Sequence, residues 1–144
     1  MNPKVLVVYY SRTGNTKKAA EEIAKSYPSL RTVGILAATG TVQSGLYQRH
    51  LDSVGIRSVT PSTEDQMALM QVIYSVKAGD LLRSSAAVVQ VGKRTVDAGA
   101  EGIIAGCTEI PLVLRPGDLS VPLIDATQVL AARTVEIAQG SLSL

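Results

Sequence analysis

Aromatic residues are scarce in this sequence: its 144 residues include five tyrosines but no tryptophan and no phenylalanine. The apolar residues are mostly Val, Leu, Ile and Ala, a composition that suits a parallel sheet covered by helices. The net charge is only +2 and the charged residues are scattered, which gives no argument for nucleic-acid binding, so we expect no nucleic-acid partner. No apolar run approaches the length needed to span a bilayer, so we expect no membrane contact.

Cysteine is also almost absent, since Cys107 is the single one in the chain. One cysteine excludes an internal disulfide, and a reducing compartment is the simplest interpretation. The first residues (MNPK) lack the charged and apolar regions of a secretory signal peptide, so we expect a cytoplasmic protein. No grouping of His, Cys, Asp and Glu has the spacing of metal ligands, and no metal site is predicted.

Short apolar runs rich in β-branched residues alternate along the chain with segments of helical periodicity. The predicted strands are residues 5–10, 33–38, 56–59, 102–106 and 121–124. The predicted helices are residues 17–26, 44–54, a helix from about 63 that closes at Gly79, 81–98 and 127–138. This alternation predicts one α/β domain over residues 1–144, with a parallel sheet of about five strands between two helical layers. Ligand-binding loops are expected at the carboxyl ends of the strands.

The first candidate site is the polar loop between the first predicted strand and the first predicted helix. It consists of Ser11, Arg12, Thr13, Gly14, Asn15 and Thr16. Free backbone N–H groups and the helix dipole at such a position favour a phosphate or another anion. The same pattern also fits a capped turn without a ligand, and the residues alone do not choose between the two.

The segment VLVVYYSRTGNTKKAAEEIA resembles the opening of a flavodoxin, in which a loop of this kind holds the phosphate of FMN. The resemblance covers about residues 1–30 and implies a flavodoxin-like fold. Flavodoxins also hold the isoalloxazine ring between later loops, usually with Trp or Tyr, and no equivalent follows here. A phosphate or sulfate ion is therefore the expected ligand of the loop, with FMN as the alternative.

The second candidate site combines residues that follow two predicted strands. Cys107 and Thr108 follow strand 102–106, while Thr39 and Thr41 lie in a predicted polar loop, residues 39–41, that follows strand 33–38. A cysteine beside a helix N-terminus can have a lowered pKa and serve as a base or a nucleophile. A buried, inert cysteine is the other interpretation and is the commoner fate of a lone cysteine.

About residues 31–138 resemble the second half of an aspartate/glutamate racemase. The stretches that carry the resemblance are VGILAATGTVQSGLYQ, TPSTEDQ, IYSVKAGD, GAEGIIAGCTEIPLVL and VPLIDATQVLA. The resemblance implies a cofactor-independent isomerase in which two cysteines flank the α-carbon of an amino acid and exchange its proton. It makes Cys107 one of these cysteines and implies substrate binding by Thr39, Thr41, Lys77 and Thr108. A small anion or a dicarboxylic amino acid is the ligand it implies.

The other cysteine of that family lies in a Cys-Asn-Thr setting, which this sequence lacks. A single chain is therefore expected to be inactive or weakly active as a racemase. Joining a flavodoxin-like segment (1–30) to a racemase-like segment (31–144) suggests an engineered or truncated chimera. We also expect a homodimer, because the final helix lacks the second half on which it packs in the family, and because a dimer could bring two Cys107 side chains together. Alternatively, that helix folds back onto its own sheet.

Overall fold

The computed structural model describes residues 14–141, a range that contains four strands and seven helices. The strands are β1 (Thr32–Leu36), β2 (Arg57–Val59), β3 (Ile103–Ala105) and β4 (Leu123–Asp125). The helices are α1 (Gly14–Ser26), α2 (Thr39–Gln43), α3 (Leu46–Ser53), α4 (Thr63–Lys77), α5 (Leu81–Asp97), α6 (Ile110–Val113) and α7 (Ala126–Ala138). The predicted strand at residues 5–10 lies outside the described residues.

The four strands form one parallel sheet in the order β2-β1-β3-β4. Every residue of β1 is buried, as its continuous run of apolar residues predicts for an inner strand. Its side chains alternate between the two faces, because Leu36 packs into one core cluster while Val33 and Ile35 pack into the other. The prediction of a parallel α/β architecture is therefore confirmed.

Helices cover both faces of this sheet. One core cluster joins it to α4, α5 and α6, and the other joins it to α1 and α3, with Val129 of α7 packed against the latter. Helix α5 approaches β1 closely, because Gly34 leaves room for Thr95 and Ile103 where a side chain would otherwise stand. The described residues thus form three layers.

Several helix boundaries follow directly from the sequence. Ser62 caps α4 by accepting a hydrogen bond from the amide of Asp65, as Ser or Thr at this point predicts. Gly79 and Gly99 have φ values of 89° and 106°, and both lie where a helix was predicted to close. Asp125 ends β4 and caps α7 through the amides of the first helical turn.

Two local predictions are wrong. Residues 39–41 form the first turn of helix α2 and not a loop, because the amides of Thr41 and Val42 bond to the carbonyl of Ala38. The single helix predicted at 44–54 begins only at Leu46, because Gly45 has φ 65° and separates α2 from α3.

The last helix folds back onto its own domain, which was one of the two expected arrangements. Arg133 of α7 donates to Glu22 of α1 at 2.9 Å and to Glu136 of α7 at 3.1 Å. Val129 packs against the α1–α3 side of the core, whereas Val135 remains 53% exposed. Helix α7 therefore has a partner within the chain but leaves part of its apolar surface uncovered.

Candidate functional site

The second candidate site lies where two neighbouring strands end at the same edge of the sheet. Leu36 of β1 and Ala105 of β3 are paired in register, and the amide of Gly106 donates to the carbonyl of Leu36 at 2.8 Å. Thr39 and Cys107 follow these strand ends within three residues. The structure thus brings the two predicted loops to one carboxyl edge, as parallel pairing requires.

Thr39 lies in the wall of a cavity of about 370 Å³ between α2 and α4. Its backbone amide donates to the sulfur of Met70 at 3.3 Å, and its hydroxyl oxygen accepts from the carboxamide of Gln66 at 3.2 Å. The Gln66 carboxamide also donates to the carbonyl of Ala37 at 3.0 Å. Thr41 is half-buried in α2 but does not line this cavity.

Cys107 is half-buried and packs against the core between the sheet and helices α4 and α5. Burial is the main reason that its pKa is raised, and the nearby carboxylate of Glu109 raises it further. Backbone amides of Glu109 and Ile110 act in the opposite direction but are outweighed. The expected lowering by a helix N-terminus is therefore wrong, because α6 is only four residues long and desolvation outweighs it.

Glu109 connects the remaining predicted site residues. Burial disfavours its ionised form, but hydrogen bonds from its own amide, Thr108 and Cys107, together with the charge of Lys77, outweigh this and lower its pKa. The Lys77 ammonium lies 3.6 Å from the Glu109 carboxylate, with 60% of its side chain exposed. Neither Lys77 nor the exposed Thr108 lines the Thr39 cavity.

Sequence reasoning missed two residues of this edge, Glu109 and Gln66. An acidic residue two positions after the cysteine was a signal for Glu109, since a carboxylate so close in sequence affects the titration of a thiol. Gln66 had no comparable signal, because it lies 27 positions from Thr39 and meets it only through the fold.

The first candidate site lies largely outside the described residues. Ser11, Arg12 and Thr13 precede them, and Gly14, Asn15 and Thr16 form the first turn of α1. The helix predicted at 17–26 therefore begins three residues earlier, and Gly14, Asn15 and Thr16 belong to α1 and not to the predicted loop. The predicted phosphate or FMN site stays a prediction.

A second cavity, of about 280 Å³, lies between α1, β4 and α7. Arg133 lines it, but the guanidinium is already paired with Glu22 and Glu136. Within residues 14–141, no group of three or more His, Cys, Asp or Glu is placed to hold a metal ion. No helix in the same range is long and apolar enough to cross a membrane.

Comparison with known sequences finds a match to the Asp/Glu/Hydantoin racemase family over residues 13–134. An uncharacterized protein in the pnlA 3′ region of Pectobacterium carotovorum subsp. carotovorum is 41% identical over 106 residues, which are 72% of this chain and 71% of that protein. The broad specificity amino-acid racemase RacX of Bacillus subtilis is 29% identical over 116 residues, which are 80% of this chain and 51% of RacX.

Two solved structures have a similar fold. An aspartate racemase homologue from Pyrococcus horikoshii OT3 superposes with a TM-score of 0.77 at 30% identity, over 88% of this chain and 56% of that one. The aspartate racemase of Picrophilus torridus also gives a TM-score of 0.77, at 27% identity, over 92% of this chain and 55% of that one. The chain spans about half the length of RacX and of these two structures.

Proposed function

The chain belongs to the Asp/Glu/Hydantoin racemase family, and from this premise we propose that it is a cofactor-independent domain that exchanges the α-proton of an acidic amino acid. Cys107 is the proton-exchanging group. Thr39, Thr41, Lys77 and Thr108 contribute to binding of the substrate carboxylates. The observation that carries this proposal is the position of Cys107 beside Glu109, on the same sheet edge as the Thr39 cavity.

One thiol can act on only one face of the α-carbon. In its thiolate form Cys107 takes the α-proton, so that the C–H bond breaks, an S–H bond forms and the electron pair passes to the α-carbon and its carboxylate. After the thiol exchanges with solvent, it returns a proton to the same face and the configuration is retained. Inversion needs a second acid on the opposite face. We therefore propose that a single chain exchanges the α-proton of the amino acid with solvent without racemising it.

Proton exchange at the α-carbon of L-aspartate in D₂O tests this function by NMR. We expect loss of the α-proton signal with retention of the L configuration, at a rate that rises with pH because the raised pKa of Cys107 keeps the thiolate scarce at neutral pH. Cys107→Ala is the control. Equal exchange in both proteins would remove Cys107 from the mechanism.

A homodimer is the proposed route to full racemisation, because a second copy could supply the second Cys107 thiol. Large exposed apolar side chains on α4 and at the start of α5 support a partner surface; they are Met67, Tyr74, Leu81 and Leu82. D-aspartate formation should then rise with the square of protein concentration at low concentration. An excess of Cys107→Ala protein should suppress it while single-face exchange persists. Sedimentation equilibrium that shows only monomer across this range would contradict the dimer.

The second candidate function is phosphate or FMN binding by residues 11–16. Its support is that residues 11–16 lead into the N-terminus of α1, an end of a helix at which the dipole favours an anion. The racemase family match begins at residue 13, within the segment 1–30 that resembles a flavodoxin, so the origin of the chain as an engineered or truncated chimera stays a proposal that rests on the sequence resemblance alone. Quenching of FMN fluorescence by the purified protein tests this function, and unquenched FMN with a colourless protein would exclude the flavin.

A further inference from the structure

The carboxamide of Gln66 has an unusual set of partners at the wall of the Thr39 cavity. Its nitrogen donates to the carbonyl of Ala37 at 3.0 Å and to the hydroxyl oxygen of Thr39 at 3.2 Å. Its oxygen is buried and has no hydrogen-bond partner among the residues that the structure describes. Since the Ala37 carbonyl can only accept, the nitrogen must face it, and the orientation of the amide is fixed.

This arrangement also leaves Thr39 able to donate to a ligand. Its oxygen accepts the Gln66 proton, and its own proton stays available for donation to another acceptor. Within residues 14–141 the Thr39 hydroxyl donates no hydrogen bond, and Thr39 lies in the cavity wall. The wall of the cavity therefore holds one donor, the Thr39 hydroxyl, and the adjoining carboxamide of Gln66 carries one unused acceptor, its buried oxygen.

We propose that Gln66 is a specificity-determining residue, which presents the Thr39 hydroxyl to a carboxylate and its own oxygen to the ammonium group of the same amino acid. A donor and an acceptor side by side match the two charged groups on an α-carbon, whereas a dicarboxylate without an amine leaves the oxygen unpaired. Met67 and Met70 flank Gln66 in the wall, and their unbranched side chains can repack as the ligand reaches this buried oxygen. The inference rests on the proposed function for its substrate class.

Equilibrium binding of L-aspartate and of succinate, which lacks the amine, tests the inference by calorimetry. The unsubstituted protein should prefer L-aspartate, and Gln66→Leu should weaken aspartate binding by about tenfold while succinate binding changes little. Thr39→Val should instead weaken both ligands by a similar factor, because both carry the carboxylate. If Gln66→Leu keeps the preference, or if the unsubstituted protein has none, the inference is wrong.

Gln48 on α3 provides a matched control. Its nitrogen donates to the carbonyl of Val42 at 3.0 Å and its oxygen is likewise buried without a partner in the described part of the chain, yet it does not line the cavity. Gln48→Leu should leave the preference for aspartate intact. A purely structural role for Gln66 predicts instead that both Leu variants alter the affinities for the two ligands in parallel, which would overturn the proposal.

Failure of the inference and failure of the proposed function have different signatures. Preferential binding of aspartate that depends on Gln66, without α-proton exchange by Cys107, would support the inference and remove the function. Exchange of the α-proton that depends on Cys107, together with an unchanged preference for aspartate in Gln66→Leu, would support the proposed function and contradict the inference. If Gln66→Leu does not fold, as judged by circular dichroism, Gln66→Met replaces it, and loss of the preference in that variant is the supporting result.

Discussion

Gly34→Ala tests whether helix α5 packs as closely on β1 as the structure shows. A Cβ atom at position 34 would lie 2.5 Å from the Cδ1 of Ile103, 2.5 Å from the Cγ2 of Thr95 and 3.2 Å from the Cβ of Ala100. The end of the isoleucine side chain can move, but the short threonine and alanine side chains are fixed to the backbone. The helix must therefore shift away from the strand.

This shift lowers the free energy of unfolding, because Gly34→Ala forces one additional methyl group into a core that is already filled. Overpacking of this sort typically costs about 1–3 kcal/mol. For a domain near this size, 1 kcal/mol corresponds to roughly 3 °C in Tm, so we expect Tm to fall by about 3–9 °C. Thr95→Ser removes one of the two closest atoms and keeps the hydroxyl that bonds to Val91, so it should restore part of the loss in the double variant.

Thermal unfolding followed by circular dichroism measures this effect. Gly40→Ala is the control, because a Cβ there meets no atom within 4 Å and the residue lies in helix α2. Its stability should stay within about 1 kcal/mol of the unsubstituted protein. If Gly34→Ala has the same Tm as Gly40→Ala, the close approach of α5 to β1 is refuted.

Three further predictions concern titration and capping. Alkylation of Cys107 by iodoacetamide should be slow at neutral pH. It should become faster in Glu109→Gln, because that change removes a carboxylate that raises the pKa of the thiol. An unchanged rate would contradict the interaction between Glu109 and Cys107. Glu101 accepts from two backbone amides just before and within β1, which lowers its pKa below the ordinary value of 4.5. The ionised form of Glu101 therefore stabilises the fold at pH values above its ordinary pKa, and this stabilisation is lost as the pH falls through the lowered pKa. In Glu101→Gln the free energy of unfolding should depend less on pH in the acidic range. Asp125→Ala should lower the free energy of unfolding by about 1 kcal/mol in urea, because α7 loses its N-cap. Asp52→Ala should leave it nearly unchanged, because the exposed Asp52 carboxylate makes no hydrogen bond or ion pair within residues 14–141.

The sequence by itself determined the architecture, since its signals are local. β1 is a short continuous run of buried residues, whereas the buried positions of α5 recur at the spacing of a helix, and this difference separates strand from helix without knowledge of the fold. Gly79 and Gly99 end helices because their backbone conformation is left-handed, which glycine adopts at little cost. Cys107 and Thr39 were placed on one edge for a similar reason, because parallel strands end together.

Only the tertiary structure decided how these side chains affect one another. The order of strands places β3 beside β1, and the packing of α4 brings Gln66 to Thr39, so that the Thr39 hydroxyl at the start of α2 accepts from the Gln66 carboxamide. Burial then reversed the expected effect on Cys107, whose pKa is raised and not lowered. Desolvation and hydrogen-bond direction depend on residues that are far apart in the chain, so local sequence patterns do not predict them.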